Sequence, residues 1–212
     1  MSQLKLPLPL EAAVDGPFVV GASNRTAVET LAAWPSGDER VLALVGPAGS
    51  GKSRLAAIWA ERVGAVSAHG AEAALIDPLE LEGRPVLIDR ACDADDETLF
   101  HLINLAQSGS GALLLTCREE PRAWDAALPD LRSRLDAVRV VRLEAPDDEV
   151  MAALLRARFA ERLIAPPEDV IAYLVRRLDR SAAEIERAVE RLDAAHRPIT
   201  RALARQVLAD QL

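Results

Sequence analysis

The sequence predicts an α/β fold: a parallel sheet covered by helices on both faces, followed by a small all-helical domain. Three observations carry that prediction. Short apolar runs alternate with helix-forming segments as far as residue 145. One alternation contains Gly46-Pro47-Ala48-Gly49-Ser50-Gly51-Lys52-Ser53, which fits the G-x-x-x-x-G-K-[ST] phosphate loop at every fixed position. After Pro146 the periodicity is helical only. The boundaries that follow are an extended tail over 1–17, an α/β domain over 18–145 and a helical domain over 146–212.

The tail holds Pro7, Pro9 and Pro17, and prolines at 7 and 9 push Leu6 and Leu8 into extended geometry. Leu4, Leu6, Leu8 and Leu10 make it too apolar for an idle terminus. It reads either as a peptide that docks into a hydrophobic groove on another protein or as a tail packed on its own domain. Phe18-Val19-Val20-Gly21 reads as a short strand or turn, and Ser23 or Asn24 can cap a helix from about 25 to 34. Pro35-Ser36-Gly37-Asp38 ends that helix. Val41 to Val45 is a buried strand and Arg54 to Arg62 an amphipathic helix, so the phosphate loop falls between a strand and a helix N-terminus.

A second strand is expected over 63–67, and 73–76 belongs to a third short element. Gly83-Arg84-Pro85 turns into the strand Val86-Leu87-Ile88-Asp89, which ends in a carboxylate. Residues 97–108 read as helix, 111–116 as a buried strand, 128–135 as a short helix and 138–143 as the last strand. In the helical domain, 147–163 and 167–178 each carry an apolar face. Ser181-Ala182-Ala183-Glu184 is a capping box, and Thr200 caps 201–208. A helical domain of this size is too small to be stable without its neighbour.

Composition narrows the function. The net charge is -8, which argues against nucleic acid as the main partner, because phosphate contacts depend on a surplus of Lys and Arg. Only 3% of residues are aromatic, so the core is aliphatic. Cys92 and Cys117 fit neither a CxxC nor a zinc pattern and read as reduced thiols, Cys117 as a packing residue. No apolar run is long enough to span a bilayer, and the N-terminus lacks a secretory signal, so a cytoplasmic protein is expected. His69, His101 and His196 are isolated and read as surface or packing residues. Trp34, Trp59 and Trp124 read as packing rather than base-stacking residues.

The phosphate loop states its own chemistry. Gly46, Gly49 and Gly51 free the backbone N–H groups to crowd around phosphate oxygens, and the helix after them adds its positive end. Lys52 reaches the β- and γ-phosphates, and the Ser53 hydroxyl helps hold Mg²⁺. Lys occurs only at positions 5 and 52 among 25 basic residues, so a chain that otherwise uses Arg keeps Lys at this position. Asp89 stands where an acidic residue orders the Mg²⁺ water shell. The next residue, commonly a second acid that activates water, is Arg90. Weak intrinsic ATPase activity is therefore expected. Asp93, Asp95, Asp96 and Glu97 read as solvated capping groups.

These motifs resemble the DnaA/Hda branch of the AAA+ family over nearly the whole chain. Phe18-Val19-Val20-Gly21-Ala22-Ser23-Asn24-Arg25 resembles the opening of the DnaA nucleotide-binding module. Leu128-Pro129-Asp130-Leu131-Arg132-Ser133-Arg134-Leu135-Asp136 resembles the Box VII segment, and the four helices are similar to the AAA+ lid. Gln3-Leu4-Lys5-Leu6-Pro7-Leu8 matches a Q-L-x-L-P-L sliding-clamp motif, with Gln3, Leu4, Leu6, Pro7 and Leu8 as the binding residues. The basic helix-turn-helix domain of DnaA does not follow the lid before Leu212.

The resemblance implies a P-loop AAA+ module with a helical lid, binding ADP or ATP with Mg²⁺ through residues 46–53 together with Val19 and Val20. It implies two partners, DnaA and the DNA polymerase III sliding clamp (its beta subunit), with a homo-oligomer open and no sequence-specific DNA contact or membrane. Arg134 would be an arginine finger acting in trans on ATP held by DnaA, with Arg132 pointing elsewhere. Read without the resemblance, Arg134 is a surface residue at helical spacing from Asp130. Three positions depart from the family: Arg90, Arg118 after the strand ending Thr116-Cys117, and Ala183 at the sensor-two position, where Arg180 one turn earlier is a candidate replacement. The expected function is negative regulation of replication initiation, by stimulating ATP hydrolysis on DnaA. The alternative is an autonomous AAA+ ATPase that loads or remodels a replication partner.

Overall fold

The computed structural model describes residues 18–35, 37–76, 81, 83–109 and 111–209. The tail residues Gln3, Leu4, Leu6, Pro7 and Leu8 lie outside them. The described residues form two compact units. One comprises residues 27–46 and 52–142; the other gathers 18–26 and 47–51 with 143–209.

The first unit is built on five strands, β1 (Val41–Val45), β2 (Val66–His69), β3 (Val86–Asp89), β4 (Leu113–Cys117) and β5 (Arg139–Arg142), in the order β2-β3-β4-β1-β5. All pairings are parallel. Every residue of β1, β3 and β4 is buried, as expected of central strands covered on both faces. Alternation divides them. Ala43, Val45, Ile88, Leu113 and Leu115 join a core with Leu99, Leu102 and Ile103 of α3 (Asp96–Ser108) and Leu131 and Leu135 of α4 (Pro129–Asp136). Leu42, Leu44, Leu87 and Leu114 belong to the other face, where α2 (Lys52–Val63) packs against β1, β3 and β4. Trp59 of α2 stacks on Trp34 at 5.0 Å and donates its indole N–H to the Trp34 carbonyl at 3.1 Å. Both rings are core residues, as expected of packing tryptophans.

Two elements differ from the sequence expectation. The second strand starts at Val66, not at 63, because α2 runs on to Val63 and is closed by Gly64 at φ +67°. Gly64 N–H bonds the Glu61 carbonyl and Ala65 N–H the Ala60 carbonyl, a glycine-terminated helix end that delays the strand. The third short element is a 3₁₀ turn over Gly70–Leu75.

The second unit has its own core. Met151, Leu155 and Phe159 of α5 (Asp148–Glu161) meet Ile171 and Leu174 of α6 (Glu168–Val175). Ile185, Val189 and Leu192 of α7 (Ala182–Asp193), with Leu203 of α8 (Arg201–Ala209), complete it. The predicted caps are present: the Ser181 hydroxyl accepts from Glu184 N–H and that of Thr200 from Leu203 N–H. Asp147, expected inside α5, stands just before it and caps it. The Asn24 side chain turns back, accepting from Gly21 N–H at 2.9 Å and donating to the Val19 carbonyl at 2.8 Å. It thereby fixes the turn before α1 (Arg25–Ala33).

Candidate nucleotide-binding site

The C-terminal ends of β1, β2, β3 and β4 carry Val45, His69, Asp89 and Cys117, the edge at which parallel sheets hold ligands. β1 runs straight into the phosphate loop, and the first loop amide, Gly46 N–H, bonds the Cys117 carbonyl at 3.2 Å. The chain turns at Gly49 (φ +75°) and Gly51 (φ +95°) before α2 begins at Lys52. These left-handed angles are open to glycine and strained for any residue with a Cβ.

In the first unit, Ser53 Oγ donates to Asp89 Oδ1 at 2.9 Å, and the Thr116 hydroxyl makes a short bond to the same oxygen. Thr116 Oγ in turn accepts from Arg90 N–H at 3.0 Å. His69 Nδ1 lies 3.6 Å from Asp89 Oδ2. Asp89 and Thr116 are 4% and 1% exposed, so this polar knot is inside the protein and fixed by its own bonds. Burial pulls the Lys52 ammonium below its usual value and the Arg118 guanidinium adds to that, while Cys117 and Asp89 act in the opposite sense. Burial pushes the Cys117 thiol up to about 12, which keeps it a protonated packing group. Arg90 takes φ +52°, and its guanidinium pairs with Asp93 at 3.1 Å.

In the second unit, residues 47–51 lie against two neighbours. A Cβ on Gly49 would fall 2.2 Å from Ser181 Cβ, and Ala182 N–H bonds the Gly49 carbonyl at 3.3 Å. A Cβ on Gly51 would fall 3.4 Å from the Phe18 ring. Val19 is half-buried and Val20 is 45% exposed. Ala183 is exposed in the first turn of α7. The Arg180 guanidinium is bonded to the Pro146 carbonyl and the Asp148 carboxylate.

Arg134 lies elsewhere. On the last turn of α4, it bonds the Gln107 side-chain oxygen, and its guanidinium sits 5.1 Å above the Phe100 ring. No ion pair joins it to Asp130 among the described residues, so the helical-spacing alternative is replaced by this pair of contacts. It borders a small cleft of about 160 Å³ with Glu39, Val41 and Arg139. Val41 starts β1, whereas the phosphate loop follows Val45 at its other end. Arg132 points elsewhere, onto the Ala126 carbonyl.

Three participants carry no clear mark in the sequence. Thr116 stands out there only as part of a strand end. His69 is isolated in sequence, but the β2–β3 register sets it directly beside Asp89. Asp96 is not merely a solvated cap: it accepts from Ala127 N–H at 2.6 Å and Leu128 N–H at 3.2 Å, so it holds the entry to α4. Each depends on a partner about 20 to 30 residues away, and only β-strand ends and short polar residues hint at it.

The donor set suits a magnesium nucleotide. Lys52 supplies a cation, and Ser53 and Asp89 supply hard oxygens, whereas the Gly46 N–H, expected to face phosphate, is taken by the Cys117 carbonyl. No protein-family model matches the chain. Solved structures do match. Domain III of the replication initiation protein DnaA from Thermotoga maritima superimposes with a TM-score of 0.72 at 20% identity, covering 91% of this chain and 94% of that one. The fold is the AAA+ fold.

AMPPCP-bound DnaA from Aquifex aeolicus shares it with a TM-score of 0.65 at 19% identity, over 83% of this chain and 63% of that one. A point variant of RuvB from Thermotoga maritima does so with a TM-score of 0.69 at 16% identity, over 90% and 69%. No helix among the described residues is long and apolar enough to cross a membrane.

Proposed function

We propose that this AAA+ protein binds ADP or ATP with Mg²⁺ and acts as an Hda-like negative regulator of replication initiation, stimulating hydrolysis of ATP held by DnaA. Residues 46–53 would hold the phosphates, Val19 and Val20 would flank the base, and Ser53 with Asp89 would hold the metal, Asp89 through water. The bound nucleotide supplies no chemistry of its own beyond a phosphoanhydride that this site turns over slowly, because Arg90 stands where a water-activating acid is expected. The tail residues Gln3, Leu4, Leu6, Pro7 and Leu8 would dock on the DNA polymerase III sliding clamp.

The observation that carries the reading is the position of Arg134. It lies beside the start of β1, while the phosphate loop follows the end of that strand. Five strand residues separate the two ends by roughly 13 Å. An arginine there cannot serve this chain's own phosphates, so as a finger it acts only on a nucleotide held by a second molecule. The match of fold with DnaA supports a DnaA-like second molecule.

The test measures hydrolysis of ATP bound to DnaA in the presence of DNA-loaded clamp. The wild-type protein is expected to stimulate it, and Arg134→Ala to lower the stimulated rate by roughly 10³. Replacing Leu6 and Leu8 together by Ala is expected to abolish the stimulation as well. A wild-type protein that leaves DnaA unchanged but hydrolyses ATP rapidly by itself would replace this reading with the autonomous ATPase.

A further inference from the structure

Asp89 is served unequally on its two oxygens. Oδ1 takes the Ser53 and Thr116 hydroxyls, whereas Oδ2 faces His69 Nδ1 at 3.6 Å, just outside hydrogen-bond reach. His69 Nδ1 is buried and has no hydrogen-bond partner, although the side chain as a whole is 27% exposed. A buried ring nitrogen without a partner is unfavourable, and native proteins seldom leave one without a reason.

The backbone, not the side chain, holds the imidazole there. The β2–β3 register sets His69 opposite Asp89. The next residue, Gly70, approaches so closely that a Cβ would fall 2.3 Å from the Arg90 carbonyl oxygen. Two successive residues thus tie this end of β2 to both Asp89 and the residue after it. A shift of well under an ångström would bring Nδ1 and Oδ2 into a normal bond and satisfy the buried ring nitrogen.

We infer that His69 is a positioning residue for Asp89. Its Nδ1–H closes onto Oδ2 when magnesium draws the Ser53 hydroxyl and the Asp89 carboxylate into its surroundings, and so fixes the carboxylate for the metal's water shell. Carboxylates that serve a metal are commonly held by such an outer hydrogen bond, and losing it costs about 10–100-fold in metal affinity. The inference rests on the nucleotide-binding reading above. It assigns His69 no part in transferring protons to substrate.

The experiment is calorimetric titration with ADP, in EDTA and in magnesium chloride, of the wild type, His69→Ala and His69→Asn. The quantity read is the gain in ADP affinity that magnesium confers. We expect His69→Ala to lower that gain about tenfold while binding ADP in EDTA like the wild type. His69→Asn, which places an amide N–H near the Nδ1 position, is expected to restore most of it. A gain within about twofold of the wild type in His69→Ala overturns the inference, as does an Asn variant no better than Ala.

A wild type that binds no ADP overturns the nucleotide reading itself, which is a different result from full magnesium gain in every variant. Nitrogen-15 NMR of the wild-type imidazole gives the answer should the variants not fold. A His69 Nδ1–H signal that becomes protected with magnesium and ADP, but not with ADP in EDTA, is the expected result. Identical spectra in the two conditions overturn the inference.

Discussion

At Asp147 one carboxylate does two jobs. Oδ1 accepts from Val150 N–H at 2.8 Å and caps α5, while Oδ2 accepts from Ser23 N–H at 2.9 Å. The Val150 amide, and after it the Ser23 amide, hold the carboxyl below the usual carboxylate range. The sign follows from linkage. With the native value depressed, the unfolded chain takes the proton first, so the contribution is complete above about pH 4 and is lost as pH falls through the lower native value. Asp147→Ala is therefore expected to cost about 1–2 kcal/mol at neutral pH. Urea unfolding of both proteins down to pH 3 should show the difference shrinking, and a pH-independent difference would mean that the ionised cap is not its source. The helix start was legible to within one residue, but the sequence places Asp147 inside the helix and not at its cap. The Ser23 contact was not legible, because 124 residues separate the two partners.

Among the elements, the end of α5 breaks a local rule. Ile164 N–H bonds the Phe159 carbonyl and Leu163 N–H the Ala160 carbonyl, each at 2.9 Å, a helix end whose turning residue is usually glycine. Here it is Leu163, at φ +57° and 97% exposed. The left-handed conformation strains a leucine, and an almost fully exposed side chain recovers nothing by burial. Leu163→Gly is expected to stabilise the protein by about 1 kcal/mol in chemical denaturation, net of the entropy that glycine adds to the unfolded chain. A loss of stability would show that Leu163 makes contacts in solution that outweigh the strain. Gly64, at the equivalent place after α2, satisfies the same geometry with the expected residue. The end of α2 thus holds a glycine, although 63–67 reads as strand from the sequence, whereas the end of α5 holds none.

For the whole molecule, the composition of the second unit is the point of interest. Its four helices carry their own core, yet residues 18–26 and 47–51 belong to it as well. Gly21 lies so close to Val150 that a Cβ would fall 2.4 Å from its Cγ2, and Gly49 is as tight against Ser181. A peptide of residues 143–212 would keep the helical core and lose all these contacts. At about 70 residues, with little surface to bury, it is expected to be only marginally helical by circular dichroism at 25 °C. A cooperative, fully helical unfolding transition would show that the core formed by α5 to α8 suffices.

The sequence by itself determined the local grammar. Buried apolar runs marked β1, β3 and β4, amphipathic periods marked the helices, and the glycine pattern with Lys52 and Ser53 marked the phosphate loop. These are short-range signals, each written within one turn or one strand. Tertiary structure alone decided what the strand ends share. The parallel register placed His69 beside Asp89, Thr116 came to the same carboxylate from β4, and Arg134 settled on Gln107 and Phe100 rather than Asp130. The physical reason is that a side chain's partners depend on strand order and on the crossing of helices over the sheet, and neither is encoded in the spacing of neighbouring residues.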